Sequence, residues 1–157
     1  MRKFKLYTDG SHFKPKDGSP GSGRLGIGAI LVSSGGSVVD SMSMEVDRTT
    51  IRETYQTSDV SNPTMEMYAV LIALRRFSSK LQFGDEIEVF ADYQGVMYWM
   101  YHKWKIDKPY IYMIREDIEA EVRRQDLSVK YNWVKSHNGD TYNELVDKLA
   151  KGEILKV

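Results

Sequence analysis

The chain has no cysteine, only four prolines and no excess charge of either sign among its 157 residues. Each shortage removes a class of protein. Without thiols there is no disulfide scaffold, no thiolate zinc site and no cysteine nucleophile, and a reducing compartment does it no harm. No stretch approaches the roughly 18 consecutive apolar residues that a membrane span needs, and the opening MRKFKLYTDG lacks the apolar core of a secretory leader. The expectation is a soluble, cytoplasmic protein. Lys and Arg number 22, as do Asp and Glu, which argues against a simple cationic coat for nucleic acid because such proteins are usually basic overall. Local basic patches remain open to it.

The length suits one domain spanning residues 1–157, with roughly 68 to 70% of the unfolded surface buried on folding. There is no repeat, and the longest weakly patterned piece is residues 47–62. Residues 3–9 alternate Phe4 and Leu6 against polar neighbours and read as a strand that stops at Asp9-Gly10-Ser11. Residues 25–32 and 38–46, joined through Ser34-Gly35-Gly36, continue it as an antiparallel meander. The period then changes: Asn62 as N-cap and Pro63 at the first helical position open a helix that is apolar almost all round from Met67 to Leu74. Residues 86–92 read as a strand, and 93–104 and 109–125 as two helices, the second with an apolar stripe of Ile111, Ile114, Ile118 and Val122. A last strand over 127–134 leads into a helix with a Thr141-x-x-Glu144 capping box and an end marked by Gly152. The order βββ-α-β-αα-β-α predicts an α/β fold, a mixed sheet flanked by helices.

Four acids need an explanation. Asp9 and Asp92 each end a predicted strand, and in α/β sheets the ligand crevice lies outside such strand ends. Asp also commonly opens turns, which would account for either one alone. Glu66 sits in an apolar run, where an unpaired carboxylate costs several kcal/mol. Its ordinary explanation is a first-turn acid favoured by the helix dipole, worth roughly 0.3 to 1 kcal/mol. Asp147 lies four residues after Asn143 and so shares its helix face, with Leu145, Val146, Leu149 and Ala150 expected on the opposite, buried side. Taken together, the four could converge on one acidic, all-oxygen cluster. Crowded carboxylates repel one another unless a cation sits among them, and hard oxygen ligands select Mg²⁺ or Mn²⁺. Two such ions would suit an in-line phosphodiester displacement.

Tyr7-Thr8-Asp9-Gly10-Ser11, the Glu66-x-x-Ala69-x-x-x-Ala73-Leu74 helix, Phe90-Ala91-Asp92, and Trp133 to His137 followed by Asn143-Glu144-x-x-Asp147-x-Leu149-Ala150 occur in this order. In order and context they resemble type I ribonuclease H. The resemblance implies a ribonuclease H-like fold with a five-stranded mixed sheet, three strands antiparallel and then two parallel. It also implies endonucleolytic hydrolysis of the RNA strand of an RNA/DNA hybrid by two metal ions, leaving 5′-phosphate and 3′-hydroxyl ends. Carried over, Asp9, Glu66, Asp92 and Asp147 are the metal ligands, with Mg²⁺ as cofactor and Mn²⁺ a substitute. His137 is the loop histidine that aids proton transfer or product release. Asn62 matches an asparagine that reads the RNA 2′-hydroxyl, and Gly10, Ser11 and Asn143 fall among substrate contacts.

Residues 98–110 interleave aromatic and basic side chains, and Lys103, Lys105 and Lys108 are the expected phosphate contacts, while Trp99 is expected in the core. Pro63, Thr64 and Tyr93 depart from the family pattern and bear on substrate choice, not on the acids. Two other readings share the fold: a related metal-dependent nuclease acting on another nucleic acid, and a catalytically weak or inactive hybrid-binding module. The latter would be marked by loss of one acid, and all four are present. The expected partner is the RNA/DNA hybrid, with no membrane and no obligate protein partner, and the expected state is a monomer. The neutral total is also uneven, with residues 35–92 acidic and both 1–34 and 93–135 basic.

Overall fold

The computed structural model describes residues 1–13, 23–135 and 141–157. Its elements run β1 (Lys3–Phe13), β2 (Arg24–Ser33), β3 (Val38–Val46), α1 (Arg48–Tyr55), α2 (Asn62–Arg76), β4 (Glu86–Ala91), α3 (Gln94–Met100), α4 (Pro109–Arg124), β5 (Ser128–Trp133) and α5 (Thr141–Ala150). The strands form one sheet in the order β3-β2-β1-β4-β5. β1, β2 and β3 pair antiparallel, and β4 and β5 add in parallel beyond β1. This is the mixed five-stranded sheet that the pattern of elements predicts.

Alternation along β1 divides the core between two faces. Phe4 and Leu6 join the larger cluster with α2, whereas Tyr7 joins Ile30, Val32, Val146 and Leu149 on the side of α5. α2 is buried from Thr64 to Leu71 and again at Ala73 and Leu74, because it lies between the sheet and α4. The stripe on α4 behaves as read: Ile111, Ile114 and Ile118 are buried, and Val122 packs against the core.

Four boundaries differ from the sequence reading. β1 does not stop at Asp9 but runs on to Phe13, since its antiparallel ladder with β2 continues through Asp9↔Gly28 to Phe13↔Arg24. Turn-type residues in a strand are tolerated when the ladder satisfies their backbone. Residues 47–62 contain α1, which Asp47 caps by accepting from the Thr49 amide at 2.9 Å. Ile51 and Tyr55, one turn apart, are its buried face, and the Tyr55 hydroxyl donates to Asp117 at 2.7 Å. Asn62 is not the N-cap of α2: Ser61 holds that position, and Asn62 is the first helical residue. α3 ends at Met100, well short of residue 104, where Tyr101 leads into His102 at φ 58. There the amide of Lys103 turns back to the Tyr98 carbonyl at 2.8 Å. The end of α5 is as expected, with Gly152 at φ 72.

Three glycines, Gly10, Gly26 and Gly28, let helices touch the sheet backbone. A Cβ on Gly10 would stand 2.1 Å from the Met65 carbonyl oxygen of α2, and one on Gly28 would stand 2.4 Å from the Val146 carbonyl oxygen of α5. Neither obstacle is a flexible side chain. Gly28 is also the cross-strand partner of Asp9, so α5 is seated directly behind that acid. Gly28→Ala is expected to push α5 off the sheet and lower stability by about 1 to 3 kcal/mol. Urea unfolding of the two proteins checks this, and a variant as stable as the native chain would contradict the close contact.

Candidate active site

The site exists because β1 outruns its parallel neighbour. The β1–β4 ladder ends at Tyr7↔Phe90, while β1 continues against β2. Beyond that point the two strands have no mutual hydrogen bonds, and a crevice opens at the carboxyl end of β4, where parallel and antiparallel pairing meet. Asp9 stands on one side of this crevice. Asp92, just past β4, stands on the other, its backbone carbonyl accepting from the Trp133 indole at 3.2 Å.

Glu66 reaches the same place from α2. Its Oε1 accepts from the Gly10 amide at 3.1 Å, a bond made possible by the close approach of α2 to Gly10. Its Oε2 is buried and, with both carboxylates ionised, accepts from no N–H or O–H among the described residues. Asp9 and Glu66 are both buried, and Asp92 is half-buried. One carboxylate oxygen from each of the three lies within 4.8 Å of the others. Asp147, on α5, opens into the same cleft of about 400 Å³ but is more exposed and pairs with Lys151 one turn on, at 3.0 Å.

Crowding and burial perturb two of these acids strongly. Burial pushes Asp9 up to about 7, with a hydrogen bond to Glu66 opposing the shift and the charges of Asp92 and Asp147 reinforcing it. Burial, then the charge of Asp9, raises Glu66 well above the ordinary carboxylate range. Two facing carboxylates can share a hydrogen bond only while one keeps its proton; the other remedy is a cation. An orphaned buried oxygen, an all-oxygen donor set and repulsion that grows on ionisation fit a hard divalent ion. Asp9, Glu66 and Asp92 could hold it, with Asp147 beside them.

Of the other sequence-predicted residues, Gly10, Ser11 and Asn62 line the cleft. Asn62 turns its Oδ1 to the His12 amide at 3.1 Å, tying the start of α2 to the extended end of β1. Asn143 is buried on α5 with Val146 and is not among the residues lining the cleft; Leu145, expected on the buried side, is half-buried beside the smaller core cluster. His137 lies outside the described residues. Lys103, Lys105 and Lys108 are exposed on the segment after α3 and are not part of the cleft lining. Trp99 is half-buried, packs against the core, and meets Trp104 edge to face at 6.1 Å.

Three lining residues escaped the sequence reading: His12, Tyr93 as a wall, and Lys151. Lys151 was detectable as a base four residues after Asp147 on one helix. His12 was not, because a strand taken to stop before it hides its position. Its Nε2 accepts from the Arg48 guanidinium at 3.1 Å, since arginine can only donate.

The model of the RNase H family matches residues 1–154. The chain is 31% identical to ribonuclease H of Neorickettsia sennetsu over 98% of its own length and 93% of the relative's. Among solved structures it is similar to RNase H1 of the archaeon Halobacterium salinarum, with TM-score 0.71 and 22% identity over 95% of each chain. It is also similar to LC11-RNase H1 solved in complex with an RNA/DNA hybrid, with TM-score 0.70 and 18% identity over 96% of this chain and 98% of that one. The crevice, its acids and the whole-length match agree on one conclusion: the chain belongs to the RNase H family of endoribonucleases.

Proposed function

We propose that the protein cuts the RNA strand of RNA/DNA hybrids by divalent-metal-assisted hydrolysis, leaving 5′-phosphate and 3′-hydroxyl ends. The observation that carries this reading is the convergence of Asp9, Glu66 and Asp92 within 4.8 Å, with Asp147 facing the same cleft. The hybrid bound to LC11-RNase H1 supports the choice of substrate. Asp9, Glu66, Asp92 and Asp147 would hold the ions, Mg²⁺ in the first instance with Mn²⁺ as substitute. When bound there, such ions lower the pKa of water and neutralise charge on the phosphate.

The chain's own groups do the rest. The Gly10 amide fixes the Glu66 carboxylate, so that this ligand is oriented before any ion arrives. Asn62 and Ser11 present polar groups along the cleft for the ribose 2′-hydroxyl, the atom that distinguishes RNA from DNA. His137 assists proton transfer or product release, and Lys103 and Lys105 bear on the phosphates of the DNA strand. Asn143 acts from beneath, by holding the buried side of α5. The protein works as a single-domain monomer in the cytoplasm.

Asp9→Asn is expected to reduce cleavage of a labelled hybrid at least about 100-fold with the circular dichroism spectrum retained. Near-native activity would sink the assignment, and parallel reactions on double-stranded RNA and DNA test the substrate.

Stability without metal should also depend on pH in a defined direction. Asp9 ionises near 4 when unfolded and at about 7 in the folded chain, so between those values the folded state holds the extra proton. Stability is therefore present below pH 4 and lost as pH rises through 7. Asp59, Asp85 and Glu121, all shifted downwards, change the balance only in more acid solution. Thermal melts in EDTA should show a falling midpoint from pH 4 to 8, Mg²⁺ should restore it at pH 8, and Asp9→Asn should flatten the slope. A midpoint that rises over this range contradicts the description of the cluster.

A further inference from the structure

Tyr93 is a bulky ring placed directly after Asp92, and the fold makes room for it. The ring turns back over Gly95: a Cβ on that glycine would stand 2.6 Å from the ring Cζ and 2.9 Å from the phenol oxygen. Gly95 is buried in the first turn of α3, a helical position where alanine is normally the better residue. The ring it admits explains the glycine. Trp99 lies four residues further along α3 and so on the same helix face. Its ring meets that of Tyr93 at 5.7 Å between centroids, with the planes tilted by 57°. Trp99 in turn meets Trp104 edge to face at 6.1 Å, and Trp104 stacks on Tyr98 at 4.9 Å. Tyr93 is the cleft end of a line of four rings, and packing of this kind favours one arrangement of a side chain that has only two torsions.

The ring forms one wall of the crevice. Tyr93 follows β4, while Gly10, Ser11 and His12 belong to the β1 side, and all of them line the same cleft. Tyr93 is half-buried, so part of the ring is open to whatever enters. Its phenol is near enough to Lys108 and Glu66 to feel both charges. Lys108, expected to meet a substrate phosphate, is itself paired with Asp59 at 3.1 Å. An aromatic face packs on sugars and bases without reading sequence. A ring held in place also selects by shape, because a backbone whose sugar lies elsewhere clashes with it or loses the contact.

We propose that Tyr93, seated on Gly95 and braced by Trp99, is a specificity-determining wall of the cleft that packs its ring against a ribose of the RNA strand entering there. The proposal rests on the reading of the protein as a hybrid-cutting enzyme, in which the strand between the acids and the β1 side is the RNA. Gly95 is a positioning residue that acts through the ring.

The test uses the whole chain. KM and kcat are measured on a labelled RNA/DNA hybrid with Mg²⁺, and binding of the same hybrid and of a DNA duplex is measured in EDTA. Tyr93→Ser is expected to raise KM about 5- to 20-fold with kcat changed less than about threefold, and to reduce the preference for hybrid over DNA by a similar factor. Tyr93→Phe, which keeps the ring, should recover most of that loss. Gly95→Ala, which pushes the ring off its seat, should raise KM comparably in the native background but by less than about twofold in the Tyr93→Ser background, where no ring is displaced. Near-UV circular dichroism reads the packing of Tyr93 on Trp99, and Gly95→Ala should alter it only while the ring is present.

A KM for Tyr93→Ser within about twofold of native, or a fall in kcat at unchanged KM, overturns the proposal and leaves the hybrid reading intact. Neither result depends on Gly95→Ala folding. Equal effects of Gly95→Ala with and without the ring overturn the seat on Gly95, and the proposal with it. A native chain that neither binds nor cleaves the hybrid sinks the hybrid reading and the proposal together.

Discussion

The contact between Gly10 and the first turns of α2 is the constraint on which the site depends. The helix backbone comes so close to β1 that no side chain fits at Gly10, and the Gly10 amide then bonds Glu66 directly. That bond brings a helix carboxylate into the neighbourhood of a strand carboxylate where both are buried. Like charges buried together oppose folding once ionised. The apolar burial of α2 between sheet and α4 supplies the opposing free energy, so the repulsion is held in place as a demand for protons or cations.

The fourth acid is held differently. α5 sits on the other face of the sheet, seated on Gly28, and this brings Asp147 into the same crevice. Its partner Lys151 lies just past the end of that helix, so Asp147 has a cation of its own as well as its interaction with Asp9. The cluster is thus three close acids and a fourth paired with a lysine, a division that comes from two helices approaching one strand from opposite faces.

The same local pairing explains the neutral total. Among the described residues, bases are matched to acids in twos: Lys151 with Asp147, Lys108 with Asp59, Lys105 with Asp107, and His102 within hydrogen-bond reach of Glu119. A surface built this way offers little uniform positive field.

Much was legible in the residues alone because the signals were local. Alternation marked β1 and β4, turn residues bounded β2 and β3, an unbroken apolar run marked α2, an apolar stripe α4 and a capping box α5, and Glu66 stood out as an acid in an apolar run. α1 was hidden because only Ile51 and Tyr55 of its eight residues are buried, too few to show a period. β1 was cut short because Asp9-Gly10-Ser11 has turn chemistry, and only the ladder with β2 reveals that this backbone is satisfied as strand. Composition and order determined the class of fold and the identity of the acids. Tertiary structure alone decided that Glu66 leans on Gly10, that Asp147 belongs partly to Lys151, and that Lys108 is held by Asp59. Those partners are 56, 4 and 49 residues apart. For the two distant pairs, which donor meets which acceptor depends on how closely packed helices approach the sheet, and no local pattern encodes that distance.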